Sequence, residues 1–432
     1  MQIYTKKLDY SICSLFFPPL TFNFNRTQKY YLSLFNKTSD KLSQIVKMNL
    51  RVAYLTSVNP EDKNTLSGVP YSILKALQKS FEEVEVIGPA AYMNSFTRLV
   101  RKISGRLKRK YNLNHSYFLA WWFSGKFRKL LGVKKFDFIF APRQSTEIAL
   151  LKTDIPIVYY TDTTFKSLYN YYEWFSGFMK ISEWEGNRIE QKAISKSSVL
   201  IFSSEWAANS AIHDYGADIK KVHILPFGPN IDSIPTRQQI NFEKPSDVCK
   251  LLFIGVEWER KGGEIAFCTL RELKEMGQKT TLTVVGCEPP PGFEDEDMKV
   301  YKYLNKNIPE QADIFNRLLF ENHFLLLPTR QECFGVVFCE ASAFGLPSIT
   351  TETGGISGAV YNGKNGYRLP FEAHGDKYAR LIFDIFSDYR NTYQPLARSS
   401  RETFETILNW DSWSDSLKSI LKSHPEIFNQ LL

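Results

Sequence analysis

Two glutamates with seven residues between them, Glu332 and Glu340, enclose a stretch made only of small and apolar residues. Carboxylates accept hydrogen bonds from hydroxyl groups. If Glu332 precedes a helix and Glu340 lies inside it, one can bind hydroxyls near a phosphate and the other can bind hydroxyls farther along the ligand. A ligand with two polyols flanking a diphosphate, such as a sugar nucleotide, fits this arrangement. The alternative is that both are solvated acids on a helix face.

The residues around this pair predict the elements that hold it. The apolar run 324–327 is typical of a buried parallel strand. A helix is expected over residues 336–344, and Gly345 marks its end. Ligands bind at the carboxyl ends of strands in open α/β sheets, and a helix N-terminus offers free N–H groups to phosphate. Glu332 should therefore lie in a phosphate-binding loop.

The order Glu332, Phe334, Gly335, Glu340, followed by Ala and a Gly-x-Pro at residues 345–347, resembles the signature of the family-4 retaining glycosyltransferases, which have the GT-B fold. The resemblance implies that Glu332 holds the donor sugar and Glu340 the donor ribose. The residues it implies for donor binding are Gly68, Phe334, Gly335, Val336, Glu340, Gly354 and Gly355.

Two cations, Arg260 and Lys261, precede a pair of glycines where a buried strand over residues 249–255 gives way to a helix. Arginine offers a planar fork and lysine a point charge, and together they can neutralise a diphosphate. The alternative is two exposed loop cations. Members of the resembled family carry a Lys-Gly here, with an arginine a few residues earlier, close after the strand glycine. In this chain Val256 follows that glycine, and Arg260 is expected to substitute.

Glycines follow other predicted strands. Gly68 lies between a strand beginning at Met48 and a helix over residues 71–81, and the resemblance implies that its loop faces the donor diphosphate. Gly354 and Gly355 follow a strand that begins at Ser348, and their N–H groups can also meet phosphate.

Arg143 and Asp162 follow two further predicted strands, so their side chains should reach the same cleft from the acceptor side. Many members of the resembled family carry a histidine after the second of these strands, but here Asp162 takes the corresponding turn. Asp162 is expected either to orient or deprotonate the acceptor hydroxyl, or to cap the turn. Together with Glu332, Lys261 and Arg260 it completes the predicted catalytic set.

Composition limits the class of protein. A chain of 432 residues is too long to fold around a single hydrophobic core. Its contents of 43% hydrophobic and 23% charged residues are ordinary for a globular protein. The six cysteines have no metal-type spacing and favour a reducing compartment. No acidic pair or histidine cluster in the sequence is interpreted as a metal site, and no cofactor is expected beyond the nucleotide-sugar co-substrate. No apolar run approaches the roughly 20 residues that span a bilayer.

Residues 98–130 combine basic and aromatic side chains: seven of residues 98–110 are basic and none is acidic. Such a segment suits an anionic membrane surface. The alternatives are a solvated helix face and a nucleic-acid site, and we rank nucleic acid below the membrane and expect none as a partner. A cytoplasmic protein, peripheral on the inner face of the membrane, is the expectation.

The predicted architecture is α/β, with two Rossmann-like doubly wound domains facing a cleft in a GT-B arrangement. Residues 48–228 form the acceptor-side domain, 229–248 a linker and 249–409 the donor domain. Residues 410–432 are expected to form a helix that crosses back to the first domain. Residues 1–47 are either an extension atypical of the family or lie before a natural start at Met48.

The predicted reaction moves a sugar, with retention, from a nucleotide-sugar donor to a hydroxyl of a glycan or lipid-linked acceptor. Cell-envelope polysaccharide or glycolipid synthesis is the expected setting. Two alternatives stay open: another GT-B enzyme, such as a nucleotide-sugar epimerase, and a non-catalytic membrane-binding module. The donor sugar, the nucleotide base and the acceptor are not specified by these patterns.

Overall fold

The computed structural model describes residues 47–63, 65–90 and 110–428. Residues 1–46, which make up nearly all of the predicted N-terminal extension, lie outside this part of the chain. So do residues 98–109 of the basic stretch and residues 429–432 of the C-terminal segment. The described residues contain two six-stranded sheets, and every recorded strand pair within them is parallel.

The first sheet has the strand order β2-β1-β3-β4-β5-β6. Its strands are β1 (Met48–Leu55), β2 (Phe81–Ile87), β3 (Phe138–Pro142), β4 (Ile157–Thr161), β5 (Val199–Phe202) and β6 (Val222–Ile224). Every residue of the three central strands β3, β4 and β5 is buried. Continuous apolar runs form such strands because helices cover both faces of a parallel sheet.

The second sheet has the order β12-β11-β10-β7-β8-β9. Its strands are β7 (Cys249–Ile254), β8 (Thr280–Val285), β9 (Met298–Tyr301), β10 (Phe324–Leu327), β11 (Ser348–Thr351) and β12 (Gly366–Leu369). The strand order reverses between β7 and β10, and in the first sheet between β1 and β3. These reversals are where doubly wound sheets open a crevice for ligands. The predicted two-domain α/β fold is confirmed.

Helices connect the strands. In the first domain they are α1 (Val69–Ser80), α2 (Tyr117–Leu131), α3 (Ser145–Ala149), α4 (Phe165–Leu168), α5 (Lys180–Lys196) and α6 (Glu205–His213). The remaining helices are α7 (Gly263–Glu275), α8 (Pro309–Glu321), α9 (Val336–Ala343), α10 (Gly375–Ser387), α11 (Gln394–Thr406), α12 (Trp410–Lys422) and α13 (Pro425–Phe428). Helix α9 begins at the predicted residue, Val336, and ends one residue before the predicted end.

Helix α12 lies against the first domain. Trp413 is fully buried, and its indole N–H donates to the Tyr160 hydroxyl of β4 at 3.1 Å. The indole N–H of Trp410 donates to the carbonyl of Pro229 at 2.7 Å. Two large aromatic side chains anchored in this way fix the C-terminal segment across the start of the linker.

A buried acid lies within the first domain. Glu190 of α5 is 2% exposed, and its Oε1 accepts a hydrogen bond from the Tyr159 hydroxyl at 2.9 Å. Burial raises the pKa of Glu190 to about 7 from an ordinary 4.5. Burial likewise raises the pKa of Glu147, on α3, to about 7.

Because folded Glu190 keeps a proton that the unfolded chain releases, the free energy of unfolding should fall as the pH rises from about 4.5 to about 7. Glu190→Gln should remove roughly 3 kcal/mol of that decline, measured by urea denaturation across this pH range. The Glu190→Gln variant should keep the part of this pH dependence that Glu147 contributes. The exposed Glu82→Gln is the control, and a slope equal to that of the wild type in Glu190→Gln would contradict the expectation.

Candidate active site

The loops after β7 and β10 meet where the second sheet reverses its strand order. Lys261 follows β7, Glu332 follows β10, and the Lys261 ammonium forms an ion pair and hydrogen bond with Glu332 Oε2. Both side chains are largely covered, at 12% and 14% exposure. The structure thus places two sequence-predicted site residues in contact at the crevice of the donor domain.

The conformation of Gly335 allows α9 to begin directly after the Glu332 loop. Gly335 has φ 85° and ψ 74°, a left-handed conformation that residues with a side chain rarely adopt. A Cβ at this position would also press into the ring of Phe338. Helix α9 begins at Val336, so its free N–H groups lie within a few residues of the Glu332 carboxylate.

Arg260 is tied to the same loop. Its Nε and Nη2 donate to the two carboxylate oxygens of Glu257, each at 2.9 Å, and its Nη1 donates to the carbonyl of Gln331 at 3.2 Å. The Arg260 side chain is 17% exposed. The interpretation of Arg260 and Lys261 as two exposed loop cations is therefore wrong, because both are partly buried and held by carboxylates.

Gly354 and Gly355 pack directly against the Glu332 loop. The N–H of Gly355 donates to the carbonyl of Glu332 at 3.0 Å. A Cβ at Gly355 would overlap the carbonyl oxygen of Cys333, and one at Gly354 would overlap that of Glu332. Their close approach explains why glycine stands at both positions. Contact of the Gly354 N–H with phosphate stays a prediction, whereas the Gly355 N–H is already bonded to Glu332.

The other predicted donor-binding side chains are more enclosed. Glu340 is 2% exposed, and its Oε1 accepts from the Lys306 ammonium at 2.7 Å. Phe334 is also 2% exposed, and its ring packs edge-on against Phe227 at a centroid distance of 5.0 Å. Val336 is partly buried. A ribose bound by Glu340 would share its carboxylate with Lys306, and this binding stays a prediction.

Asp162 and Arg143 form the acceptor-side pair. Arg143 Nε lies 3.5 Å from Asp162 Oδ1, and Asp162 is 8% exposed. This oxygen is buried and accepts no hydrogen bond from the described part of the chain. Arg143 therefore holds it by charge, and Oδ1 does not cap the turn. The catalytic role of Asp162 stays a prediction.

Cys333 links the two sides of the cleft. It follows Glu332 and packs in one apolar cluster with Tyr172 and with other aromatic residues of the first domain. Burial, followed by the charge of Asp162, raises the pKa of the Cys333 thiol. The acceptor-side pair and the Glu332 loop therefore lie close together. Gly68 lies directly before α1, where a Cβ would meet Lys63 and Asn230, and its contact with a donor diphosphate stays a prediction.

A cavity of about 850 Å³ has walls from both domains and is lined by Arg260 and Gln331, the chain neighbours of Lys261 and Glu332, but by neither member of the ion pair itself. Glu173 and Trp174 line it from the first domain, and Arg260, Arg330 and Gln331 line it from the second. Its size suits a small-molecule ligand.

Two residues near this cleft were not predicted. Tyr171 accepts a hydrogen bond from the N–H of Glu332 at 2.8 Å, across the domain boundary. Glu147 lies in the helix that follows β3, at the reversal point of the first sheet. Neither has a local signature, and only the concentration of aromatic residues around Tyr171 could have drawn attention to it.

Two other features are absent from the described residues. No group of three or more His, Cys, Asp or Glu side chains there is arranged to hold a metal ion. No helix in the same ranges is long and apolar enough to cross a membrane.

The two facing doubly wound domains define the chain as a GT-B protein, and comparison with solved structures agrees. A glycosyltransferase of Rickettsia africae superposes with a TM-score of 0.60 at 15% identity, covering 88% of this chain and 99% of that one. The HepE protein of Anabaena, solved with UDP, gives 0.54 at 15% identity and covers 87% and 100%. At this identity, the likeness shows the fold alone.

Comparison of the sequence with family profiles assigns the chain to a narrower class than the fold does. The profile described as Glycosyltransferase Family 4 matches residues 69–233, and that of Glycosyl transferases group 1 matches residues 249–388. This protein belongs to the group 1, family 4 glycosyltransferases. The D-inositol 3-phosphate glycosyltransferase of Corynebacterium jeikeium is 24% identical over an alignment of 266 residues, and the match covers 56% of this chain and 61% of that protein. The chain thus spans about three fifths of this curated relative.

Gly355→Ala should displace the Glu332 loop, because the new methyl group would overlap the Cys333 carbonyl. Overpacking of this kind costs about 1–3 kcal/mol, which a melting curve and denaturant unfolding will detect. Gly125→Ala is the matched control, since a Cβ there meets nothing within 4 Å. Equal stability of the two variants would contradict the close packing.

Proposed function

We propose that this chain transfers a sugar from a nucleotide-sugar donor to an acceptor hydroxyl, with retention at the anomeric carbon and without a metal ion. The observation that carries the proposal is the Lys261–Glu332 ion pair at the strand-order reversal of the second sheet. A cation for diphosphate and a carboxylate for sugar hydroxyls stand side by side there. Family membership supports the same chemistry.

The demand on the site is departure of a nucleoside diphosphate. Donor binding would separate Lys261 from Glu332, with the ammonium turning to phosphate and the carboxylate to the sugar. Arg260 and the N-terminus of α9 would add to the stabilisation of the developing negative charge. These groups would neutralise the leaving group without a metal ion. Such a route needs no carboxylate nucleophile, unlike that of a retaining hydrolase.

The acceptor would enter from the first domain, where Asp162 would orient its hydroxyl. The curated relatives act on D-inositol 3-phosphate according to their names, so a polyol is a suitable first acceptor class. Synthesis of a cell-envelope polysaccharide or glycolipid is the proposed setting. The UDP complex of a protein with the same fold makes UDP-sugars the first donors to examine.

Contact with a membrane surface would suit a lipid-linked acceptor. Helices α2 and α5 present exposed apolar side chains: Trp121 is 67% exposed, Trp184 52% and Ile181 51%. Trp184 lies beside Tyr117, with ring centroids 5.7 Å apart, which joins the two helices into one aromatic surface. We propose that this surface docks peripherally on the cytoplasmic face of the membrane.

Glu332→Ala should lower turnover on the order of a hundredfold, because the donor sugar would lose its charged partner. The measurement is product formation from UDP-, GDP-, ADP- and dTDP-sugars with D-inositol 3-phosphate or lipid-linked acceptors, with and without EDTA. Glu264→Ala, on the exposed face of α7, is the control. Full activity of Glu332→Ala would remove this residue from its role.

The same assay separates the alternatives. An epimerase would convert the donor without any acceptor. A non-catalytic module would form no product with any pair. Inversion at the anomeric carbon, read by nuclear magnetic resonance of the product, would exclude the retaining mechanism, and loss of activity in EDTA would exclude metal independence.

Replacement of both Trp121 and Trp184 by alanine should weaken binding to vesicles that contain anionic lipid, by about tenfold or more, since tryptophan side chains anchor at the headgroup level. Vesicle sedimentation measures this. Ile219→Ala, which removes another exposed apolar side chain of 62% exposure, is the control. Unchanged sedimentation of the double variant would contradict docking through this surface.

A further inference from the structure

The phenol of Tyr171 reaches from the first domain to the backbone of Glu332. Its oxygen accepts a hydrogen bond from the N–H of Glu332 at 2.8 Å. The hydroxyl also donates to the carbonyl of Glu332 at 3.4 Å, and its oxygen lies within hydrogen-bond distance of Thr353 Oγ1, at 3.0 Å. One side chain of the acceptor-side domain is thus bonded to two segments of the donor domain.

Neighbouring residues fix the position of the phenol. The ring of Tyr171 packs on Trp206 at 5.2 Å and edge-on against Tyr172 at 5.1 Å. On the other side, a Cβ at Gly354 would overlap the Tyr171 hydroxyl oxygen. Gly354 thus leaves room for this side chain, and the contact depends on close packing from both domains.

Tyr171 forms its bonds to the main chain of Glu332, whereas the Glu332 side chain bonds to Lys261. The main-chain position sets where the carboxylate stands. Within the donor domain, the N–H of Gly355 holds the Glu332 carbonyl at 3.0 Å. The Glu332 N–H receives its hydrogen-bond acceptor from the other domain.

We propose that Tyr171 is a positioning residue that makes the placement of the Glu332 carboxylate depend on contact between the two domains. When the domains separate, the Glu332 N–H loses its acceptor and the loop loses one of its main-chain anchors. The Glu332 carboxylate, which is proposed to bind the donor sugar, is then correctly placed only while the acceptor-side domain contacts the donor domain. This inference rests on the proposed function of Glu332.

Tyr171→Phe removes the hydroxyl and keeps the ring packing. We expect kcat to fall about tenfold, the effect of losing one hydrogen bond, while KM for the donor changes less than twofold. Amide hydrogen exchange of Glu332 should also become faster, because its N–H loses an acceptor. This second measurement does not require catalytic activity.

Tyr215→Phe is a matched control. The Tyr215 hydroxyl accepts from the N–H of Lys166 at 2.9 Å and donates to Asn187 Oδ1 at 2.8 Å, all within the first domain. The substitution deletes the same type of bonded hydroxyl and should lower stability without changing kcat or Glu332 exchange. Thr353→Val removes the other partner of Tyr171 and leaves the Glu332 bond, so its effect on kcat should be the smaller.

The outcomes separate the two proposals. A wild-type protein without activity on any donor would overturn the proposed function, and the exchange measurement would still test the contact. With an active wild type, unchanged kcat in Tyr171→Phe overturns the positioning role. An equal loss of kcat in Tyr215→Phe also overturns it, because kcat would then follow stability. An equal loss in Thr353→Val overturns it as well, because the phenol would then act through Thr353.

Discussion

The partly buried ion pair between Lys261 and Glu332 is the interaction on which the site depends. Removing two charges from water costs free energy, and the attraction between them offsets that cost only when both are well held. Loops after β7 and β10 hold them at the one place where the second sheet opens. In the free protein each charge neutralises the other, so a donor bound as proposed would have to supply replacements for both. A ligand with an anionic and a polyol part does so, and a ligand with only one leaves a charge unpaired.

The loop that carries Glu332 is held by main-chain contacts on several sides. Gly355 bonds its carbonyl, Arg260 bonds the carbonyl of Gln331, and Tyr171 accepts its N–H. Main-chain anchors of this kind fix a side chain more firmly than ion pairing alone, because they set where the side chain begins. The carboxylate is in this sense preorganised by its supports, which come from both domains.

The sequence predicted those parts of the fold that have strong local patterns. The apolar run of β10, Gly335 and the following helix were all placed correctly, because burial on both faces and glycine punctuation are local properties. The short strand β9 was missed, since Met298–Tyr301 is partly exposed and carries no continuous apolar run. Tyr171 was missed for another reason: its contact with Glu332 spans 161 residues and leaves no periodic trace. The sequence also left open whether Arg260 is an exposed loop cation, because only the fold shows Glu257 and Gln331 around its side chain.

The chain crosses between the domains at two points that touch each other. The first crossing begins at Gly228, where a Cβ would press into the indole of Trp410, and Trp410 itself lies at the second crossing and bonds Pro229. Because the two chain crossings at Gly228 and Trp410 contact each other, they would act as a single pivot for any opening of the cleft. Opening the cleft would leave the pivot intact and separate first the contacts that lie away from it.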